Sequence, residues 1–208
     1  MSGVIALQGG AAFSGHDELD RRLLAEAKAD KVVVLPTADA FEKPELLVAD
    51  AMNWAERMGV QVEALMVMRR DEALDPATGD VIRGARAVWL VGDNSIHLRS
   101  VVKDTPVWSA IIDVLVAGGV VVGCGEPASA LCDPMIDPRG GGLALGLGLV
   151  KGMAIIANSE NETHDRQVRA KKLANVPLVF LPSTSALLKR DAGWEIVGPN
   201  ETVGQLPT

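Results

Sequence analysis

Short apolar segments recur along the whole chain and predict the strands of a sheet. Most of them are rich in valine, isoleucine and leucine, and Pro36 directly follows one of the clearest, residues 31–35. Apolar runs of this length are typical of parallel strands that helices cover on both faces. The predicted strands are 4–7, 31–35, 60–67, 85–91, 120–123, 153–157 and 177–181.

Amphipathic segments lie between these runs and predict helices. The predicted helices are 19–27, 44–58, 105–115 and 161–173. Alternation of strands with helices predicts an α/β fold with a doubly wound, mostly parallel sheet flanked by helices and joined by right-handed crossovers. Two short runs within residues 186–206 predict a short antiparallel pair at the C-terminal edge of the sheet. Since no linker or repeat interrupts the pattern, we expect one domain spanning 1–208.

Composition narrows the classes of protein that fit. The chain has 208 residues, of which 48% are hydrophobic, so a disordered chain is excluded. The net charge of −7 argues against nucleic acid or an anionic membrane as a partner. The sequence shows neither a signal peptide nor a membrane-spanning run, and its histidines and two cysteines lack metal-binding spacing. We therefore expect a soluble cytoplasmic protein without a metal or cofactor; a homo-oligomer is compatible with the sequence.

Candidate chemistry lies where predicted strands end, since ligands of open α/β sheets bind at the carboxyl ends of strands. The turn at residues 8–11 lacks a full dinucleotide-binding pattern, and a plain tight turn is the better interpretation. Asp93 and Asn94 follow another strand, where a helix cap competes with a role in ligand binding. The segment 120–131 has the strand–turn–helix form of a nucleophile elbow. Its apex is either Gly125, which has no side chain, or Cys124, whose neighbours two residues away are too bulky for an elbow.

The ordered set of motifs resembles the peptidase S51 family, the cyanophycinase and dipeptidase E-like serine peptidases. The resemblance spans nearly the whole chain and implies a class I glutamine amidotransferase-like fold. It begins with Gly92-Asp93-Asn94, which is similar to the G-G-D/N-Q segment of the family. The other matching segments are 119–123, 128–131, 135–140, 146–152, 185–187 and 193–198.

The same alignment of motifs places unsuitable residues at the catalytic positions of the family. Gly125 stands where the resemblance implies the serine nucleophile, and Asn158 where it implies the catalytic histidine. Glu126 replaces the small residue of the oxyanion hole, Pro127 the second glycine of the elbow, and 182–183 an acidic pair. Because glycine has no atom to attack with and an amide accepts no proton at neutral pH, the serine mechanism is lost.

Three other residues are candidates for a relocated active site. Cys124 is adjacent to the apex but is typical of a buried, inert thiol, since reactive cysteines need an exposed, electropositive site. Ser129 is interpreted as a helix-packing residue, because no base is placed beside it. His164 lies on a charged segment and is interpreted as a solvated surface histidine.

The sequence thus favours a catalytically inactive homologue that binds a ligand or a protein partner. We expect a small acidic or peptide ligand, with Gly92, Asp93, Asn94 and Glu126 as its binding residues. The alternative is an active hydrolase or peptidase of the same family whose nucleophile is Cys124 or Ser129. By analogy of fold alone, a glutamine amidotransferase-like subunit that needs a synthase partner is a third hypothesis.

Overall fold

The computed structural model describes residues 3–207, within which strands and helices alternate. The strands are β1 (Val4–Gln8), β2 (Lys31–Leu35), β3 (Gln61–Ala64), β4 (Ala87–Leu90), β5 (Val120–Cys124), β6 (Cys132–Asp133), β7 (Met135–Ile136), β8 (Leu143–Ala144), β9 (Val150–Lys151), β10 (Ala154–Ala157), β11 (Leu178–Leu181), β12 (Ala186–Arg190), β13 (Gly193–Val197) and β14 (Glu201–Val203). The helices are α1 (Asp17–Ala27), α2 (Pro44–Met58), α3 (Arg70–Ala73), α4 (Pro76–Arg83), α5 (Ser95–Val102), α6 (Pro106–Val116), α7 (Glu126–Leu131) and α8 (His164–Leu173).

A mostly parallel sheet forms the centre of the fold, as the sequence predicts. Its strand order is β13-β12-β1-β5-β4-β2-β3. The five strands from β1 to β3 in that order run parallel to one another. At the C-terminal edge, β12 pairs antiparallel with β1, and β13 pairs antiparallel with β12.

Successive residues of the central strands enter two separate cores, one on each face of the sheet. Val33 and Val121 pack with residues of α5, α6 and α7 on one face. Val34 and Val122 pack with α1 and α2 on the other, where Trp54 of α2 is fully buried. Because helices cover both faces of the sheet, side chains on both faces are buried, and the strands are continuous apolar runs in the sequence.

Two of the predicted strands, 153–157 and 177–181, do not join the central sheet. They form β10 and β11 of a second sheet, in the order β10-β11-β14. Ile156 and Phe180 pack with Ala170 of α8 in a small third core. An apolar run predicts a buried strand, but not which strand it pairs with, because pairing depends on contacts distant in sequence. The sequence analysis also missed α3 and α4, which lie within residues 70–83.

The length of the helices bears on the prediction that the chain has no membrane-spanning segment. Within residues 3–207, the structure contains no helix that is both long and apolar enough to cross a membrane.

Candidate functional site

A cleft opens at the carboxyl end of the central sheet. Loops that follow β1, β2, β4 and β5 form most of its walls, and the segment after β10 of the second sheet completes it. Its volume is ≈ 530 Å³, enough for a small ligand. The residues that line it are Gly10, Ala11, Ala12, Asp39, Leu47, Gly92, Asp93, Cys124, Gly125, Glu126, Asn158 and Asn161.

Gly125 occupies the sharp turn between β5 and α7. Its φ of 72° and ψ of −134° lie in a region that residues with side chains rarely adopt, whereas glycine adopts it freely. The Gly125 N–H donates a hydrogen bond of 3.0 Å to the carbonyl oxygen of Gln8, the last residue of β1. The chain therefore keeps the backbone of an elbow without a side chain at its apex.

The apex of this turn faces Asn158 across the cleft. A β-carbon placed on Gly125 with ideal geometry would lie 3.7 Å from Asn158 Nδ2 and 4.0 Å from Asp93 Oδ1. Asn158 itself is left-handed, with φ of 47°, and its N–H donates to the Gly9 carbonyl at 2.8 Å. The structure thus brings together the two positions at which the resemblance implies a nucleophile and its base. A carboxamide at the second position cannot take a proton.

The turn after β1 packs tightly against the segment that contains Asn158. A β-carbon on Gly10 would lie only 2.0 Å from Asn158 Oδ1, so no side chain fits there without displacing Asn158. Gly10 therefore allows a close approach between two loops of the cleft, and Gly9 allows one to the Pro182 carbonyl oxygen, which would lie 1.9 Å from a β-carbon there. This is the tight-turn interpretation of the sequence rather than a dinucleotide-binding loop.

His16, which precedes α1, joins the loops behind the cleft. Its Nε2 lies 3.0 Å from the Gly10 carbonyl oxygen and 2.9 Å from that of Ser183. The Ser183 N–H and hydroxyl in turn donate to the carboxylate of Glu160. Burial lowers the pKa of His16, so its Nε2 serves as a neutral N–H donor between the two carbonyls.

Three carboxyl groups give the cleft a negative character. Asp39, Asp93 and Glu126 line it, and no described residue that lines it is Lys, Arg or His. Burial raises the pKa of Asp39, with a further contribution from the charge of Asp93. Burial also raises the pKa of Glu126, although the Ser95 hydroxyl donates to its Oε2 at 2.6 Å.

Of the four predicted ligand-binding residues, three line the cleft and one does not. Gly92, Asp93 and Glu126 are part of its wall. Asn94 instead caps α5, because its Oδ1 accepts the His97 N–H at 2.9 Å. This is the capping role that the sequence analysis weighed against ligand binding.

Both candidates for a relocated nucleophile are buried, although Cys124 is among the residues that line the cleft. Cys124 is only 2% exposed, its thiol donates to the Gly10 carbonyl at 3.1 Å, and burial raises the pKa of this thiol. Ser129 is 1% exposed, and its Oγ accepts the Ile136 N–H at 3.3 Å. A thiol with a raised pKa and a hydroxyl without a base beside it are both poor nucleophiles.

Neither the candidate His164 nor the other remaining histidine, His97, is among the residues that line the cleft. His164 is an exposed residue at the start of α8 and is not among those lining the cleft. His97 is half-buried, with its Nε2 2.9 Å from the Met68 carbonyl oxygen and its ring 4.5 Å from that of Phe41.

Cysteine labelling should reflect the burial of the thiols. We expect native protein to resist iodoacetamide at both Cys124 and Cys132, because each is buried and the pKa of Cys132 rises to about 12. Unfolding should make both react, as mass spectrometry of tryptic peptides would show. An Ala192→Cys variant supplies an exposed positive control. Rapid labelling of Cys124 in the native state would contradict this prediction and favour the hydrolase alternative.

Sequence reasoning missed four residues of the cleft. Ala12, Asp39, Leu47 and Asn161 line it, yet none of them belongs to a recognisable motif. The positions of Asp39 and Asn161, each four residues after a predicted strand, offer a signal that could have found them. Within residues 3–207, no group of three or more His, Cys, Asp or Glu side chains is placed to hold a metal ion.

The sequence has recognisable relatives, although no family model matches it. Cyanophycinases from Trichormus variabilis (strain ATCC 29413 / PCC 7937) and Nostoc sp. (strain PCC 7120 / SAG 25.82 / UTEX 2576) are each 24% identical to it over 216 aligned positions. Each alignment covers 96% of this chain and 72% of the relative.

The fold also matches solved structures of peptidases. A peptidase from an acI-B1 Actinobacterium superposes with a TM-score of 0.86 at 20% identity, covering 97% of this chain and 93% of that one. A candidate peptidase E protein from Listeria monocytogenes EGD-e gives a TM-score of 0.72 at 16% identity, covering 97% and 99% respectively. These neighbours share the α/β fold with its large, mostly parallel sheet.

Proposed function

We propose that this chain, a peptidase S51-like protein, binds a peptide ligand in its cleft and does not hydrolyse it by serine catalysis. The observation that carries the proposal is the pairing of Gly125 with Asn158. The β-carbon position of Gly125 lies 3.7 Å from the Asn158 amide nitrogen, where a working site would need a hydroxyl beside a base. What remains is the shape and charge of the cleft.

The charge of the cleft favours one kind of ligand. An acidic ligand would face Asp39, Asp93 and Glu126 without a cation from the described lining residues. A peptide with a free amino terminus instead brings an ammonium group, which is attracted by these carboxylates and donates hydrogen bonds to them. Of the two ligands expected from the sequence, a peptide bound through its amino group therefore fits better.

The hydrolase alternative has less support in the structure. A relocated nucleophile would need exposure and a base within hydrogen-bond reach. The Cys124 thiol instead donates a hydrogen bond to a backbone carbonyl, and the Ser129 hydroxyl accepts one from a backbone N–H. We therefore favour binding over hydrolysis for this cleft.

An assay of hydrolysis tests the loss of catalysis. We expect wild-type protein to release no amino acid from aspartyl dipeptides or cyanophycin-like substrates above the rate of a buffer blank, because nucleophile and base are both absent. The release would be followed by chromatography at micromolar enzyme concentration. Steady turnover of about 1 s⁻¹ or more, a typical enzyme rate, would refute the proposal.

A calorimetric titration tests the binding half of the proposal. We expect a dipeptide with uncharged side chains to bind more tightly than its N-acetylated form, and Asp93→Asn to weaken the binding of the free dipeptide several-fold. Asp50→Asn, which removes an exposed carboxylate of α2 that is not among those lining the cleft, should leave the affinity unchanged. Equal affinity for the free and acetylated peptides would contradict recognition through the amino group.

A further inference from the structure

Asp20 is a buried acid that the proposed function does not use. It lies in the first turn of α1 and is only 1% exposed. Its Oδ1 accepts a hydrogen bond of 2.6 Å from Gln8 Nε2, and its Oδ2 accepts one of 3.0 Å from Trp54 Nε1. The carboxyl group thus joins three elements, β1, α1 and α2, through hydrogen bonds alone.

Both partners of Asp20 connect it to the cleft. Gln8 ends β1, and its carbonyl oxygen holds the Gly125 N–H at 3.0 Å. The ring of Trp54 packs 5.4 Å from that of Phe13, which lies in the loop after β1 and has a φ of 62°. A change at Asp20 therefore has a direct covalent and hydrogen-bonded path to the apex of the elbow.

The charges around Asp20 oppose its ionisation. Asp17 of α1 adds repulsion, while its own carboxylate is paired with Arg57 of α2. From β5, the thiol of Cys124 is the titratable group close enough to interact with Asp20. Gln8 and Trp54 contribute neutral donors only. Burial outweighs these two hydrogen bonds and raises the pKa of Asp20 to about 7.

We propose that Asp20 and Gln8 form a proton-controlled latch on the strand whose last carbonyl oxygen holds the Gly125 turn. The ionised carboxylate accepts hydrogen bonds from Gln8 Nε2 and Trp54 Nε1. A protonated carboxyl instead has one O–H to donate, and Gln8 offers an acceptor when its amide rotates by about half a turn and presents Oε1. Protonation thus selects between two orientations of Gln8, the residue whose backbone carbonyl holds the apex of the cleft.

The latch can be observed by nuclear magnetic resonance without any ligand. In ¹⁵N-labelled protein, we expect the Trp54 Nε1–H and Gly125 N–H resonances to shift together with pH, with one midpoint near 7. In Asp20→Asn, the common transition should disappear. A transition with the same midpoint that persists at Gly125 in this variant would belong to another group, such as the neighbouring Glu126 whose pKa burial also raises, and would refute the latch.

A second variant tests whether the titration of Asp20 reaches Gly125 through Gln8 or is felt at Trp54 alone. This test does not require that Asp20→Asn folds. Gln8→Met removes the amide that links Asp20 to β1 and keeps the contact of Asp20 with Trp54. We expect the Trp54 resonance of this variant still to titrate and that of Gly125 to stay constant. A wild-type titration seen at Trp54 but absent at Gly125, or absent at both, would overturn the proposal.

Discussion

A variant that carries both Gly125→Ser and Asn158→His should hydrolyse an aspartyl dipeptide at least about 10²-fold faster than either single variant. A general base contributes about 10²–10⁴-fold to such reactions, and it has no effect without a nucleophile to deprotonate. Each single substitution restores only one partner, so the two changes should be strongly non-additive. The expected gain follows from the facing positions of residues 125 and 158.

The turn has room for a β-carbon at residue 125. Within 4 Å of the β-carbon position at residue 125, the nearest atoms are Asn158 Nδ2, the Gly92 carbonyl oxygen and Asp93 Oδ1, at 3.7, 3.7 and 4.0 Å. The positive φ of 72° makes any side chain there cost about 1–3 kcal/mol of stability. Glu126 opposes the reaction further, because its carboxylate would repel the negative charge that develops on the substrate oxygen.

The matched control for this experiment is the double variant Gly125→Ala with Asn158→His. It carries the same backbone strain and the same imidazole but no hydroxyl, so its rate should equal that of the single histidine variant. Rates would be measured from amino-acid release, and circular dichroism would show that each variant is folded. If a folded serine–histidine variant were no faster than the alanine control, the two positions would not form a nucleophile–base pair.

Asp20 should make the stability of wild-type protein fall with rising pH over about pH 4–7, relative to Asp20→Asn. The folded-state pKa of about 7 is higher than the unfolded value, so in this window the folded protein binds one more proton than the unfolded chain. The free energy of unfolding should therefore decrease by about 1.4 kcal/mol per pH unit, or about 4 kcal/mol across the window. Above pH 7 both states are ionised and the difference should become constant.

Urea denaturation of wild type and Asp20→Asn across this range would measure the effect. The new carboxamide retains an acceptor for Trp54 and donates to Gln8 once the glutamine amide rotates, so the variant should fold. Asp17→Asn is the matched control on the same turn of α1. The Arg57 side chain lowers the pKa of Asp17. The stability that wild type has relative to Asp17→Asn should therefore be lost as pH falls, which is the opposite sign to the Asp20 effect. Parallel curves for wild type and Asp20→Asn would show that Asp20 ionises freely in the folded protein.

The central sheet was predictable because its determinants are local. Apolar runs of β1, β2, β4 and β5 reflect burial on both faces, and that requirement leaves its mark on each strand separately. The predicted antiparallel edge was confirmed as β12 and β13. Its determinants are also local, because two short apolar runs separated by a turn predict such a pair. The family resemblance was confirmed at the level of a peptidase S51-like protein.

The residues of the candidate site were predictable only where a motif surrounds them. Gly125 stands within a strand–turn–helix pattern, and Asn158 was reached through the resemblance. Asp39 and Leu47 were missed because they line the cleft from an unpatterned loop and from a helix, and only the chain path brings them near β5. The functions of these residues remain predictions.

Burial and residue identity act at each position separately, so the order of amino acids is enough to predict the buried strands and an elbow without a side chain at its apex. Strand pairing depends on distant partners, and the departure of β10 and β11 from the central sheet became visible only in the folded chain. The same holds for the state of Asp20. In the sequence this residue resembles an ordinary acid at a helix start, and only packing against Gln8 and Trp54 removes it from water.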